Sequence, residues 1–145
     1  MKRLAIFAMF LSGMLPGMRA AGPELRLSPK AIRDEVRAVV EGQLAAFRTG
    51  DFAAAHDFAA TGIRQQFDVR WFTLLIRRGY PALLRQQTVD LGLVRDNGAG
   101  VAQVVVTVAD GLKRSTVYRY WLLKEKAGWR ISGMVLEQKP PRGDT

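Results

Sequence analysis

The stretch that decides the fold is a junction between two helices in the first half of the chain. It reads Ala45-Ala46-Phe47-Arg48-Thr49-Gly50-Asp51-Phe52-Ala53-Ala54-Ala55-His56. Glycine tolerates the left-handed backbone that often follows a helix end, and aspartate accepts hydrogen bonds from the free N–H groups of a helix start. Gly50 followed by Asp51 therefore predicts that one helix ends here and the next begins at once.

The helix before this junction carries one apolar stripe at helical spacing, formed by Ile32, Val36, Val39, Val40, Leu44 and Phe47. Ser28 is predicted to be its N-cap, with Pro29 in the first turn. After the second helix, Asp68 is predicted to cap a third helix over residues 69–78. Residues 63–67 between them fit either a helical turn or a short extended segment.

From residue 85 onward the apolar pattern changes to a period of two, which is typical of β-strands. Four strands are predicted, at residues 86–95, 101–109, 115–125 and 129–138. Their connections are too short for crossovers, so the strands are expected to be antiparallel. Three N-terminal helices packed on one face of a curved sheet of about four strands make an α+β fold, and the mouth of such a sheet is a natural pocket.

The first 20 residues have the form of a secretory signal peptide. Lys2 and Arg3 precede an apolar run of 12 residues, which is shorter than the ~20 residues that a spanning helix needs. Small residues follow, and cleavage after Ala20 or after Gly22 fits the pattern. An uncleaved anchor or a buried N-terminal helix is the alternative. We expect residues 1–20 to be the signal, 21–28 a linker, 29–138 the domain and 139–145 a disordered tail.

The predicted location is therefore the periplasm or the outside of the cell. The chain contains no cysteine, which excludes disulfides, thiolate metal sites and cysteine nucleophiles. Its net charge of +9 becomes +6 when residues 1–20 are removed, which fits a solvated basic surface or an anionic partner. Because export carries the protein away from nucleic acid, we expect no nucleic-acid partner. We also expect no stable membrane insertion after cleavage.

Several short motifs occur in an order that resembles the NTF2-like superfamily of cystatin-like cones. They are Gln43-Leu44-Ala45-Ala46-Phe47, Gly50-Asp51, Phe67, Gly79-Tyr80 and Gly128-Trp129-Arg130-Ile131. Within that superfamily the chain most resembles the exported bacterial DUF4864 family, over residues 32–138. The resemblance implies a curved sheet of four to six strands around a conical cavity. It implies no particular chemistry, because this scaffold hosts enzymes, transport factors and plain binding domains.

The residues themselves offer little for catalysis. In ketosteroid-isomerase-like members a tyrosine stands eight residues before the Gly-Asp aspartate, where this chain has Gln43. An amide donates a hydrogen bond but lacks a phenol's acidity. The general base of those enzymes has only Asp68 as a counterpart here, and Asp68 fits a helix cap better. His56 is the single histidine. Its neighbour Asp57 points in a different direction on a helix, so the two side chains do not face each other. No cofactor or metal is predicted.

Five polar or aromatic residues are predicted to converge on the cavity of the cone: Gln43, Phe67, Gln103, Tyr118 and Tyr120. Their alternative role is core packing. Three arginines of the third helix are candidates for anion contact at the cavity rim, and a solvated helix face is the simpler explanation for them: Arg70, Arg77 and Arg78.

The function that these patterns favour is a non-catalytic domain that binds a small apolar or anionic molecule, or a protein partner. One alternative is a small isomerase, hydratase or cyclase that uses the cone cavity. Another is an assembly subunit that forms a homodimer through the open face of the sheet.

Export generates the first prediction. If the signal is cleaved, the N-terminus of the protein isolated from its native compartment is Ala21 or Pro23. Intact-mass spectrometry of the native protein measures this directly. A full-length product retained in the membrane would contradict the prediction.

Overall fold

The computed structural model describes residues 24–112 and 114–137. The predicted signal peptide, its cleavage sites and the C-terminal tail lie outside these ranges. Within the described residues, no helix is both long and apolar enough to cross a bilayer.

Between residue 24 and the main strands, the described part of the chain forms four α-helices and one 3-10 turn. They are α1 (Lys30–Thr49), α2 (Phe52–Asp57), α3 (Thr61–Gln66), α4 (Val69–Gly79) and the 3-10 turn Pro81–Leu84. The fold has one more α-helix than predicted, because the ambiguous segment before Phe67 forms the helical turn α3.

The junction between α1 and α2 has the predicted chemistry. Gly50 adopts a left-handed φ of 76°, and its N–H donates to the carbonyl oxygen of Phe47 at 3.1 Å. The carboxylate of Asp51 accepts from the N–H of Ala54 at 3.0 Å. Asp68 caps α4 in the same way, through the N–H of Trp71 at 2.9 Å. These three predictions of helix ends are confirmed.

The start of α1 differs from the prediction. Ser28 is not the N-cap, since α1 begins at Lys30 after Pro29 and has no side-chain cap. The Ser28 hydroxyl instead donates to the carboxylate of Asp96, and its N–H donates to the carbonyl of Val94 at 3.0 Å. The segment predicted as a linker therefore ends in a short strand, β1 (Arg26–Leu27), held by tertiary hydrogen bonds.

The sheet is an antiparallel meander of five strands in the order β1-β2-β3-β4-β5. The other four strands are β2 (Thr88–Asp96), β3 (Val101–Ala109), β4 (Ser115–Glu125) and β5 (Gly128–Leu136). Alternate residues of β3 and β4 are buried on what we call the inner face: Ala102, Val104, Val106, Val108, Tyr118, Tyr120 and Leu122. The α+β class with helices on an antiparallel sheet is confirmed, and β1 adds one strand to the four predicted.

Two register shifts bend the sheet. One lies between Leu91 and Val94 of β2, and the other lies where β4 passes from Trp121 to Leu122 opposite β5. A bulge puts an extra residue on one strand and increases the local bend and twist. In β5 the consequence is a run of four buried residues, Ile131 to Met134, which turns this strand toward the helices.

The last strand generates a stability prediction. Only 4% of the surface of Trp129 is exposed. Its side chain faces inward beside Lys124, whose ammonium lies 5.7 Å from the ring centroid. Trp129→Ala should lower the free energy of unfolding by about 3–5 kcal/mol, the usual loss for a large buried aromatic side chain. Urea unfolding measures this loss.

Trp71 is the matched control for this experiment, because it is 61% exposed on α4. Trp71→Ala should change the free energy of unfolding by no more than ~0.5 kcal/mol. A loss below ~1 kcal/mol for Trp129→Ala would mean that the tryptophan does not pack in the core.

Candidate functional site

A small cavity lies inside the fold, between the helices and β5. Its walls come from α1, the α2–α3 connection, α3, α4, the residue after α4, and β5: Gln43, Ala59, Ile63, Phe72, Leu75, Ile76, Tyr80, Ile131, Gly133 and Met134. Its volume is about 20 Å³. Because a water molecule needs roughly 10–15 Å³ on this measure, the cavity as it stands has room for about one water.

Gln43 is the polar group at the base of this cavity. It comes from the buried face of α1 and is completely buried. Its amide nitrogen Nε2 donates to the carbonyl oxygen of Ala55 at 3.0 Å, which ties α1 to α2. Its oxygen Oε1 has no hydrogen-bond partner among the described residues. A buried acceptor without a partner is costly, so this oxygen is the natural contact point for a donor in the cavity.

Tyr80 supplies the second polar group of the wall. Its hydroxyl donates to the carbonyl oxygen of Met134 at 3.2 Å, which joins the end of α4 to β5. Its ring packs against Tyr118, with 5.8 Å between the ring centroids. Burial raises the pKa of Tyr80 far above its ordinary value of 10.0, because the charged phenolate loses its hydration in the interior.

Tyr120 lies completely buried on the inner face of β4, opposite Val104 and Met134. Its hydroxyl has no hydrogen-bond partner within the described part of the chain. Burial raises its pKa, and the nearby Tyr118 and Tyr80 raise it further. Tyr80 and Tyr120 are therefore polar but uncharged at physiological pH.

The five predicted cavity residues do not all meet. Gln43 lines the cavity, and Tyr118 and Tyr120 share the inner face of the sheet. Phe67 lies half-buried at the end of α3, packed against the edge of the core. Gln103 is on the other face, where it pairs with Trp121, because successive residues of a strand point to opposite sides. The prediction treated Gln103 and Tyr120 as neighbours without fixing the strand register.

The three predicted anion contacts lie on the outer side of α4. Arg70 and Arg78 are exposed. The guanidinium of Arg77 lies 5.2 Å from the ring centroid of Phe52, so it covers an apolar surface. None of the three is among the described residues that line the cavity.

His56 lies buried in the last turn of α2. Its Nε2 lies 2.6 Å from the carbonyl oxygen of Phe67, so this nitrogen carries the proton and donates it. Its ring packs edge-on against Phe72 at 5.3 Å. The histidine therefore ties α2 to the end of α3. Among the described residues, no group of three histidine, aspartate or glutamate side chains could hold a metal ion.

The helical spacing of the sequence carries a signal for the buried position of Tyr80. Tyr80 stands four residues after Ile76 and eight after Phe72, so it extends the buried face of α4 by one turn. The other wall residues missed from the sequence, such as Ala59 and Met134, carry only apolar side chains that any core would use.

The buried tyrosines generate a prediction about alkaline pH. Because burial raises the pKa of Tyr80 and Tyr120, their stabilisation of the fold is complete below pH 10 and is lost as pH rises above that unfolded-state value. Absorbance at 295 nm, followed together with far-ultraviolet circular dichroism, should show no more than one of the three tyrosines ionising before the protein unfolds. Two tyrosines ionising near pH 10 with the fold intact would contradict the burial of Tyr80 and Tyr120.

Solved structures from bacteria share this architecture at low sequence identity. Aln2 from a Streptomyces species has a TM-score of 0.56 at 16% identity, over 78% of this chain and 94% of its own. A domain of unknown function with a cystatin-like fold from Nostoc punctiforme has a TM-score of 0.54 at 13% identity, over 78% and 80%. An NTF2-like protein of unknown function from Shewanella oneidensis has a TM-score of 0.53 at 15% identity, over 70% and 94%.

Identities this low establish the fold alone. The comparison with curated proteins finds no match. The sequence of residues 30–143 matches a family described as a domain of unknown function, DUF4864. That range covers most of the chain and all of the helices and main strands, so the protein belongs to the DUF4864 family and has the NTF2-like, cystatin-like fold.

Proposed function

We propose that this protein is an exported, non-catalytic binding domain that holds a small uncharged molecule in the cavity beside Gln43. The observation that carries the proposal is the buried amide oxygen Oε1 of Gln43, a residue of the cavity wall, because this oxygen has no partner among the described residues. A ligand that donates one hydrogen bond to this oxygen and presents an apolar body to the other walls matches the site.

The polar groups of the wall support binding rather than catalysis. The Gln43 amide and the Tyr80 phenol are both neutral, and neither can act as a general base at physiological pH. The enzyme alternative needs a buried carboxylate aimed into the cone. Asp68 is instead exposed and caps α4, and Asp90 is exposed on β2. Neither supplies the base that an isomerase or hydratase would use.

The ligand must be admitted by movement of side chains. A molecule the size of benzene occupies a cavity of about 150 Å³, far more than the present 20 Å³. Leu75 is half-buried on the cavity wall, and Met134 is unbranched and adapts its rotamer at low cost. These two side chains are the ones that we expect to move.

Export would place this site in the periplasm or outside the cell, in contact with molecules from the medium or the cell envelope. The signal-like first 20 residues support this location.

The test compares two probes of similar shape, phenol and toluene, by thermal shift and by calorimetric titration. Phenol donates a hydrogen bond and toluene does not, so we expect phenol to bind the wild-type protein about 2- to 10-fold more tightly, the worth of one neutral hydrogen bond. Gln43→Met keeps the volume of the side chain but removes the acceptor, and it should abolish this preference.

Gln103→Met is the matched control. It makes the same chemical change on the outer face of the sheet, so the preference for phenol should survive. Equal binding of both probes to the wild-type protein, or a preference that persists in Gln43→Met, would overturn the proposal. So would the absence of any thermal shift with either probe.

A further inference from the structure

A second, larger space opens at one end of the sheet, where the β3–β4 hairpin meets the 3-10 turn. We call it the hairpin cleft. Its volume is about 150 Å³, and it is lined by Ala82, Arg85, Val108, Asp110, Arg114 and Thr116. This volume is roughly that of a cavity that admits benzene, so the cleft accommodates a small molecule without any movement of the protein.

The hairpin cleft lies on the inner face of the sheet, next to the tyrosines. Val108 pairs with Thr116, two residues along from the pair Val106 and Tyr118. Residues two apart on a strand are about 7 Å apart. Tyr118 packs against Tyr80, which lines the interior cavity. The cavity and the cleft share no lining residue among those described, which makes them separate sites.

The carboxylate of Asp110 is already fully engaged. Its Oδ1 accepts from the N–H groups of Leu112 at 2.8 Å and Arg114 at 3.0 Å, and its Oδ2 accepts from Nε of Arg114 at 3.0 Å. The hydrogen bond from the Arg114 backbone is the main cause that lowers the pKa of Asp110. Asp110 is thus ionised, and its charge is matched by that of Arg114.

Arg85 carries a positive charge that no described residue neutralises. It is exposed at the end of the 3-10 turn, and its guanidinium forms no hydrogen bond or ion pair with the described residues. The terminal nitrogens of Arg114 are likewise without a hydrogen-bond partner in the described ranges, because only its Nε contacts Asp110. The hairpin cleft therefore presents two guanidinium groups and one carboxylate, a surplus of one positive charge.

Apolar surface completes the site. Val108 is almost completely buried, and Ala82 is half-buried beside it. Together they give the cleft an apolar lining next to the two guanidinium groups. Thr116 adds a hydroxyl that can donate a hydrogen bond to an anion.

We propose that the hairpin cleft binds a small monocarboxylic acid with a short aliphatic chain. The carboxylate lies between Arg85 and the free end of Arg114, where charge-assisted and bidentate hydrogen bonds are strongest. The chain packs on Ala82, beside the almost completely buried Val108. A single positive surplus suits a monoanion, whereas a dianion such as phosphate would meet the Asp110 carboxylate without a second free charge to offset it.

The experiment uses butyrate as the probe, with 1-butanol and inorganic phosphate as comparisons at constant ionic strength. Two-dimensional ¹⁵N NMR titration should show saturable shifts of the Val108 and Thr116 amide signals with butyrate. 1-Butanol has the same chain without the charge, and it should bind at least about tenfold more weakly, since charged hydrogen bonds are the stronger ones. Phosphate should also bind at least about tenfold more weakly than butyrate.

Arg85→Gln should weaken butyrate binding at least about tenfold. Arg78→Gln is the matched control, because it removes the same charge from an exposed position on α4 and should leave the affinity within about twofold. Thr116→Val tests the cleft from its other side and should weaken binding by a few-fold, even if Arg85→Gln proves unstable.

Several results would overturn the proposal. One is that the Val108 and Thr116 signals do not shift when butyrate is added. Another is that butyrate binds Arg85→Gln as tightly as it binds the wild type. Equal affinity for 1-butanol would show that only the aliphatic chain of the ligand is recognised. Equal affinity for phosphate would show that the cleft binds anions in general and does not select a carboxylate. Gln43→Met should bind butyrate as the wild type does, so this test is independent of the one for the interior cavity.

Discussion

Two backbone hydrogen bonds hold the helical layer against the sheet, and the interior site depends on them. The N–H of Ile131 donates to the carbonyl of Phe58 at 2.8 Å, and the carbonyl of Ile131 accepts from Ala60 at 2.8 Å. This short bridge is parallel, unlike the rest of the sheet. It is possible because Ala59 and Ala60, the residues that meet β5, have small buried side chains that let the two backbones approach. The bulge in β5 supplies the bend that brings Ile131 to them.

Once this bridge is made, the chain that follows it is placed over the inner face. α3 starts immediately after Ala60, and α4 follows with Phe72 and Ile76 directed inward. Near the cavity the buried polar groups are neutral, namely the Gln43 amide and the phenols of Tyr80, Tyr118 and Tyr120. This arrangement is expected, because a buried charge without a partner costs far more than a buried neutral dipole. Asp96, the one buried carboxylate among the described residues, has partners in the Ser28 hydroxyl and the Gly98 N–H.

The local features of this fold could be predicted from the sequence, and the long-range ones could not. Gly50, Asp51 and Asp68 act through neighbours within four residues, so their roles were visible in the sequence. Ser28 has a partner 68 residues away, and that distant bond overrides its local preference for a cap. The position of Gln103 depended on strand register, since a shift of one residue moves a side chain to the other face. Strand periodicity indicates which residues share a face but not which face meets the helices.

The placement of Tyr80 relates the two candidate sites to each other. Its hydroxyl is bonded to Met134 on β5, and its ring packs on Tyr118 of β4. The 3-10 turn begins at the next residue, with the N–H of Leu83 donating to the carbonyl of Tyr80 at 3.1 Å. This turn carries Ala82 and leads to Arg85, both in the wall of the hairpin cleft. The anchoring of Tyr80 therefore also positions the turn that leads to Arg85, although the two spaces share no wall residue among those described. A shift of Tyr80 on opening of the cavity would move the turn with it, because the backbone of the tyrosine is hydrogen-bonded to the turn itself.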